Sequence, residues 1–404
     1  MSLGNHGRPL EVAVVGGSIG GLTAAVALRD EGCRVAVYER SSEAMSSRGG
    51  GIVLQPNMID WLTHSTQLDV DRIATRTDYL RYLGPGDEIV LDEPQVWRTT
   101  SWSAIHGSLM REFGSRDYHV GRSAVGVESR EDGATVRFLD GSEVGADLVV
   151  FADGIQSVGR RRLARHVKPT YAGYVGWRGT VPEAELTEST QRLFRDAMTY
   201  CVVEHSHIVI YPIPGRDGSV EPGGRLINYV WYRNAPDGPE LDEMLTDRRG
   251  RVCTVTVPQG EVQAAHVDAL HKTALEVLPP AAAELVAKTK DPYIQVMQDV
   301  SVDAMVYGRS ALVGDAAFAL RPHAAAGTAK AVSDAVALAE ALADTGMEVD
   351  RALAAWEPRQ LEIGRNLAAR VREMGTRSQV TGTWVPGDPD LEFGLYGPGG
   401  SRTG

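Results

Sequence analysis

Three apolar runs in this chain end in carboxylates: "RVAVYE" at Glu39, "LVVFAD" at Asp153 and "ALVGD" at Asp315. A carboxylate at a strand end accepts hydrogen bonds from sugar hydroxyls, and a glycine turn opening a helix takes a phosphate. Such a turn precedes Glu39. In "VAVVGGSIGG", Gly16, Ser18 and Gly21 occupy the three glycine positions of the dinucleotide fingerprint, with serine at the second. Serine is small enough for the backbone still to approach a pyrophosphate. A 2′-phosphate about 4 Å from Glu39 would cost roughly 4 kcal/mol at an effective dielectric of 20, so this pocket suits FAD or NAD and not NADP. The segment alone does not separate those two.

Acid–base chemistry has two candidates. His323 follows Arg321 and Pro322 in "GDAAFALRPHAAAGTAKA", and Tyr211 lies in "IVIYPIPGR". In the plainer reading, His323 caps the following helix and Tyr211 is a core strand residue. Arg178, in "YVGWRG", suits either a nicotinamide cofactor's phosphates or a structural carboxylate. His205 and His207, two apart on one presumed strand, share a face, but no third metal ligand is evident, so no metal site is expected.

These residues need strands and helices to position them. Val12–Val15, the helical spacing of Leu22, Ala25, Val26 and Leu28, and the β-branched run Val35–Val37 make a βαβ unit. Asp153, Gly154, Ser157 and Arg160 spell DGxxSxxR after a buried-strand pattern at 148–151. Strand-like runs at 171–179, 198–204, 207–212 and 226–232 predict an inserted antiparallel sheet. Helical periodicity returns at 264–278, 328–344 and 350–374, and a Gly/Pro-rich irregular tail begins at Gly382.

At 404 residues with net charge -12, the chain is long enough for more than one core and too acidic to favour nucleic acid. Its only basic cluster is Arg160, Arg161, Arg162 and Arg165. Cys33, Cys201 and Cys253 have no CxxC spacing and read as buried small hydrophobes in a reducing cytoplasm. No run approaches the roughly 18 apolar residues of a membrane span, and the N-terminus carries no signal-peptide pattern.

Taken with "RGGGIVLQPN" (48–57), the DG and GD strand ends and "FGL" (393–395), the chain resembles the single-component FAD-dependent aromatic hydroxylases, the p-hydroxybenzoate hydroxylase-like group. Within it, the dihydroxypyridine hydroxylases are most similar. The resemblance implies an α/β fold: a Rossmann-like FAD-binding domain of the GR2 type (8–75, 101–168, 296–345), an inserted antiparallel-sheet substrate domain (76–100, 169–295), and C-terminal helices and tail (346–404). It implies FAD contacts from Gly16, Ser18, Gly21, Glu39, Arg40, Gly51, Asp153 and Asp315. Pro322 would shape the turn over the isoalloxazine, and the amides of Ala326, Gly327 and Thr328 would face its N1/C2 edge. His106 stands where many relatives have an FAD-touching arginine, and no FAD role is carried over to it.

The implied reaction uses NADH or NADPH and O2 to hydroxylate an electron-rich ring, a hydroxypyridine or phenol, through a flavin C4a-hydroperoxide. A phenol of pKa near 10 is only about 0.1% ionised at pH 7, so a base or an acidic hydroxypyridine is needed, and His323 and Tyr211 would orient or deprotonate the hydroxyl. A homodimer is compatible with the group. A nicotinamide-only dehydrogenase leaves Asp153 and Asp315 unexplained, the halogenase WxWxIP signature is missing, and no second fingerprint supports a Baeyer–Villiger oxygenase. A flavin oxidoreductase without oxygen transfer and a non-catalytic FAD-binding protein stay open.

Overall fold

The computed structural model describes residues 8–42, 50–66 and 68–397; Arg48 and Gly49 of the 48–57 stretch lie outside them. A six-stranded sheet runs in the order Val306–Tyr307, Ser310–Leu312, Leu148–Phe151, Glu11–Val15, Arg34–Tyr38, Tyr118–His119. All pairs but the first are parallel. Val149, Val150 and Phe151 are fully buried, as expected for strands covered on both faces. Because the parallel strands point the same way, Gly16, Glu39, Asp153 and Asp315 emerge at one carboxyl edge, although the sequence separates them widely. That edge is where open α/β sheets bind ligands.

Two glycines are required there. Gly16 adopts φ 104°, and a Cβ on it would overlap the Ala152 carbonyl. Gly21, in the helix Ile19–Asp30, lies so close to the Gly16 carbonyl that no Cβ fits. Gly21→Ala should therefore push the helix off the turn and lower both the urea midpoint and flavin content, by more than about 3 kcal/mol in stability.

The larger sheet has nine strands, ordered Thr256–Val257, Tyr293–Asp299, Thr170–Pro182, Leu226–Asn234, Ser206–Ile213, Ala197–Val203, Thr75–Leu83, Ile89–Ser101, Gly51–Leu54. It departs from the expected antiparallel sheet in one seam, where Ala197–Val203 runs parallel to Thr75–Leu83. Its edge strand Gly51–Leu54 comes from a stretch expected in the nucleotide-binding segment, and pairs with Ile89–Ser101. A small sheet, 124–146, was not anticipated. Helices Ala264–Val277 and Pro280–Ala287 belong to a core on one face of the large sheet. A second, aromatic-rich core joins the sheet to helix Val349–Thr376 and to the tail residues Trp384, Phe393 and Leu395.

Helix Gly327–Asp344 carries a buried ion pair between Lys330 and Asp334, 1% and 0% exposed. Asp334 also accepts the Gly314 amide at 2.9 Å, which anchors the turn bearing Asp315. Lys330→Met leaves that carboxylate buried and unpaired, and should cost about 3–5 kcal/mol, seen as a lower urea midpoint.

Two expectations need correction. His205 sits in the turn between two strands at φ 48°, exposed, whereas His207 is buried in the next strand, so they do not share a face. The chain reverses within two residues there, and a reversal that tight takes a left-handed residue. Cys33 and Cys201 are buried, but Cys253 is only half-buried because its loop borders a cavity. Among the described residues there is no His/Cys/Asp/Glu cluster fit for a metal, and no helix long and apolar enough to cross a membrane.

Candidate active site

One continuous cavity of about 1330 Å³ starts at the carboxyl edge of the six-stranded sheet and ends against the large sheet. Single-ligand pockets are roughly 300–1000 Å³, so this volume accommodates a dinucleotide and a further small ring. Of the residues singled out by sequence, Gly16, Ser18, Glu39, Arg40, Gly51, Asp153, Tyr211, Asp315, Pro322, His323, Ala326, Gly327 and Thr328 line it. Gly21 does not; it shapes the turn from behind.

At the first end, Glu39 is buried and accepts the amides of Gly17 and Ser41, each at 2.8 Å, one on each oxygen. It ties the glycine turn to the second strand, with lone pairs left for a ligand hydroxyl. The Gly17 carbonyl meets His106 Nε2 and receives the Tyr118 hydroxyl, both at 3.0 Å. His106 thus braces the phosphate turn, a role invisible in sequence because helix Trp102–Phe113 contributes it from far along the chain.

In the middle, Asp153 Oδ2 accepts the Val158 amide at 2.6 Å, while Oδ1 is buried without a partner among the described residues. Burial pushes this carboxyl up. Arg160, expected in a basic cluster, is instead 1% exposed and donates to the Ala316 carbonyl at 2.9 Å and to that of Ile155. It clamps the Asp153 turn to the Asp315 turn. The Asp315 side chain is exposed within the cavity, whose walls strip water from its carboxyl and raise it to about 6, opposed by Arg160. Helix Gly327–Asp344 begins beside it, its first-turn amides unpaired within the helix. The preceding turn, Pro322–Ala324, ends in Ala325 at φ 53°, and is held by Gln55 donating to the Ala325 carbonyl (3.1 Å) and Gly394 donating to that of Ala324 (2.8 Å).

At the far end the walls are rings. His323, 3% exposed, has Nε2 2.6 Å from the Tyr174 hydroxyl and lies 4.5 Å from the Tyr232 ring and 5.3 Å from His207. Its Nδ1 is buried without a partner among the described residues. Burial, then the neighbouring His207 and Arg321, hold its pKa well below the usual imidazole range. His207 stacks on Trp384 at 4.5 Å, and burial takes it down to about 3. Tyr211 is buried against Gly51, and burial pushes its phenol up to about 12. Arg178 also lines this end and has no carboxylate partner among the described residues, so the structural-carboxylate expectation fails.

Comparison with known proteins decides the family. Residues 14–51 match an NAD(P)-binding Rossmann-like domain, and residues 171–299 match a domain described as FAD binding domain-like. The chain is 39% identical over 385 residues to 2,6-dihydroxypyridine 3-monooxygenase of Paenarthrobacter nicotinovorans, covering 95% of each chain. It belongs to the FAD-dependent aromatic-ring monooxygenases. The solved structure of 2,6-dihydroxypyridine-3-hydroxylase from Arthrobacter nicotinovorans superposes on this monooxygenase with TM-score 0.90 and 38% identity, over 96% of this chain and 97% of that one. Klebsiella pneumoniae HpxO, solved with FAD and uric acid, shares the fold at TM-score 0.76 and 23% identity, over 96% of this chain and 92% of its own. This monooxygenase takes FAD as cofactor and NAD(P)H as co-substrate, and the non-catalytic reading falls away. Its own residues fit the flavin: the glycine turn admits no side chain, and the unpartnered Asp153 Oδ1 and the helix start at Gly327 stand ready along one wall.

Proposed function

We propose that this monooxygenase hydroxylates a small electron-rich ring bearing an ionisable hydroxyl, a hydroxypyridine first among them. The observation that carries this reading is the continuity of the carboxyl-edge cradle with a ring-walled chamber of His323, Tyr232, Tyr211 and His207. The 2,6-dihydroxypyridine specificity of the 39%-identical relative supports the substrate class.

In this reading, Gly16 and Ser18 receive the pyrophosphate, and Glu39 and Arg40 receive the adenosine end. Asp153 and Asp315 accept hydroxyls, Gly51 and Pro322 border the ring system, and Ala326, Gly327 and Thr328 present the positive end of their helix to its polar edge. When bound, the reduced flavin and O2 supply the oxygen that is transferred; the protein orients the ring and excludes water.

In this reading the Tyr174 hydroxyl accepts from Arg321 Nη1 at 3.4 Å and gives its own proton to His323 Nε2. Neutral His323 then carries its proton on Nδ1, a buried donor with no partner among the described residues. Tyr211, raised to about 12, is likewise a protonated donor at neutral pH. Both expected bases are donors in this arrangement: they orient the substrate and do not deprotonate it. The three cysteines, free thiols, fit a cytoplasmic location.

The test is 2,6-dihydroxypyridine with the FAD-loaded enzyme, NADH or NADPH, and labelled O2. The expected result is faster nicotinamide oxidation and a product heavier by one labelled oxygen. Unaccelerated oxidation with no oxygenated product from any hydroxypyridine or phenol would overturn the proposal.

A further inference from the structure

Arg178 is the only charged side chain, among the described residues, on the ring-walled half of the cavity. It lies on strand Thr170–Pro182, directly opposite Tyr293 on one neighbouring strand and Val230 on the other. The groups facing it are the phenols of Tyr293, Tyr232 and Tyr211; its Nε is buried without a hydrogen-bond partner among the described residues. In front of it the chain passes as Gly50 and Gly51. A Cβ on Gly50 would stand 2.9 Å from Arg178 Nη1 and 2.6 Å from the Tyr293 hydroxyl, so glycine keeps the guanidinium open to the cavity. A guanidinium does not lose its proton in a protein, and a buried one is costly to leave unpaired.

The carboxylates lining the cavity, Glu39, Asp153 and Asp315, lie at its first end and in its middle. The chamber therefore offers one fixed positive charge and several neutral donors, and no group suited to removing a proton at neutral pH. Resting on the reading above, we propose that Arg178, with the Tyr293 hydroxyl beside it, receives the ring substrate as an oxyanion, so that the enzyme selects the already ionised substrate from solution. The bulk solvent takes the proton before binding. Hydroxypyridines that ionise near neutral pH then qualify, and simple phenols are disfavoured by the scarcity of their anion.

The FAD-loaded enzyme is titrated with 2,6-dihydroxypyridine and with the less acidic 3-hydroxypyridine, reading the change in flavin absorbance across pH. The dissociation constant should rise about tenfold per pH unit below each ligand's own hydroxyl pKa and level off above it, with two different breaks. A single break shared by both ligands would mean a protein base and would overturn the proposal. Arg178→Lys should keep both breaks with weaker binding. Arg178→Gln should lose about 100-fold in affinity for the anion with flavin content unchanged. If Arg178→Gln instead raises KM for the nicotinamide and leaves ring binding intact, the guanidinium serves the nicotinamide's phosphates and the proposal fails. Labelled product together with a shared break would keep the hydroxylase reading and sink this one alone.

Discussion

Asp315→Ala should emerge from gel filtration with less than about a tenth of its flavin. A hydrogen bond to a charged acceptor contributes about 1.5–3 kcal/mol, which converts to roughly 10- to 100-fold in the dissociation constant. The turn itself should survive, because Gly314 is held by Asp334 and the Asp315 and Ala316 carbonyls by Arg160. The pH dependence distinguishes a lost contact from a damaged turn. Burial raises the Asp315 carboxyl to about 6, so it is an ionised acceptor above that value and protonated below it. Flavin retention by the unmodified protein should fall as pH drops through about 6, while Asp315→Asn should be weak throughout. The apoprotein should behave oppositely. Its folded carboxyl holds a proton more tightly than the unfolded chain does, so this group's contribution to stability is fullest below the unfolded value and is lost as pH rises through about 6. Full flavin occupancy in Asp315→Ala would remove the residue from the cradle.

His323→Gln should lower kcat/KM for the ring substrate about 100-fold with flavin content unchanged, and Tyr174→Phe about 10-fold, because Tyr174 acts only by setting the His323 tautomer. The measurement is labelled-product formation beside the 450 nm absorbance; equal product yield would discard the role. His323 should add no ionisation near pH 6.5 to the rate profile, since burial keeps it neutral. The same burial has a cost in acid. His207 and His323 are 1% and 3% exposed, and both have folded pKa values below the unfolded one. The unfolded chain therefore takes up protons first. Stability should decline as pH falls below about 6.5, by at most about 1.4 kcal/mol per unit for each histidine.

The cofactor edge was legible because it depends on local pattern. Strand runs ending at Glu39, Asp153 and Asp315 need only parallel pairing to converge, and apolar runs of that length predict such pairing. Gly21 was legible as part of a fingerprint, but only the packing shows it working behind the turn. The chamber was far less legible. His106, Tyr118, Gln55 and Trp384 act through partners 89 to 270 positions away, and nothing in their immediate neighbours distinguishes them from ordinary surface or core residues. The alternation that marked His205 and His207 as one strand ran straight through a reversal, because the turn "EH" carries no glycine or proline. Arg178 stood out by type, yet its lack of a carboxylate partner is a property of the whole packed interior.

The tail contains almost no regular structure after Thr381, yet Trp384 backs His207, Gly394 holds the Ala324 carbonyl, and Arg370 lies 4.5 Å over the Tyr396 ring. The first glycine turn of the cradle and the last support of the chamber thus come from segments far apart along the chain. During synthesis the ribosome must have made residue 394 before the chamber can close. Truncation before Trp384 should then yield protein whose nucleotide sheet is intact and whose ring pocket is loose, coloured yellow but wasteful of reductant.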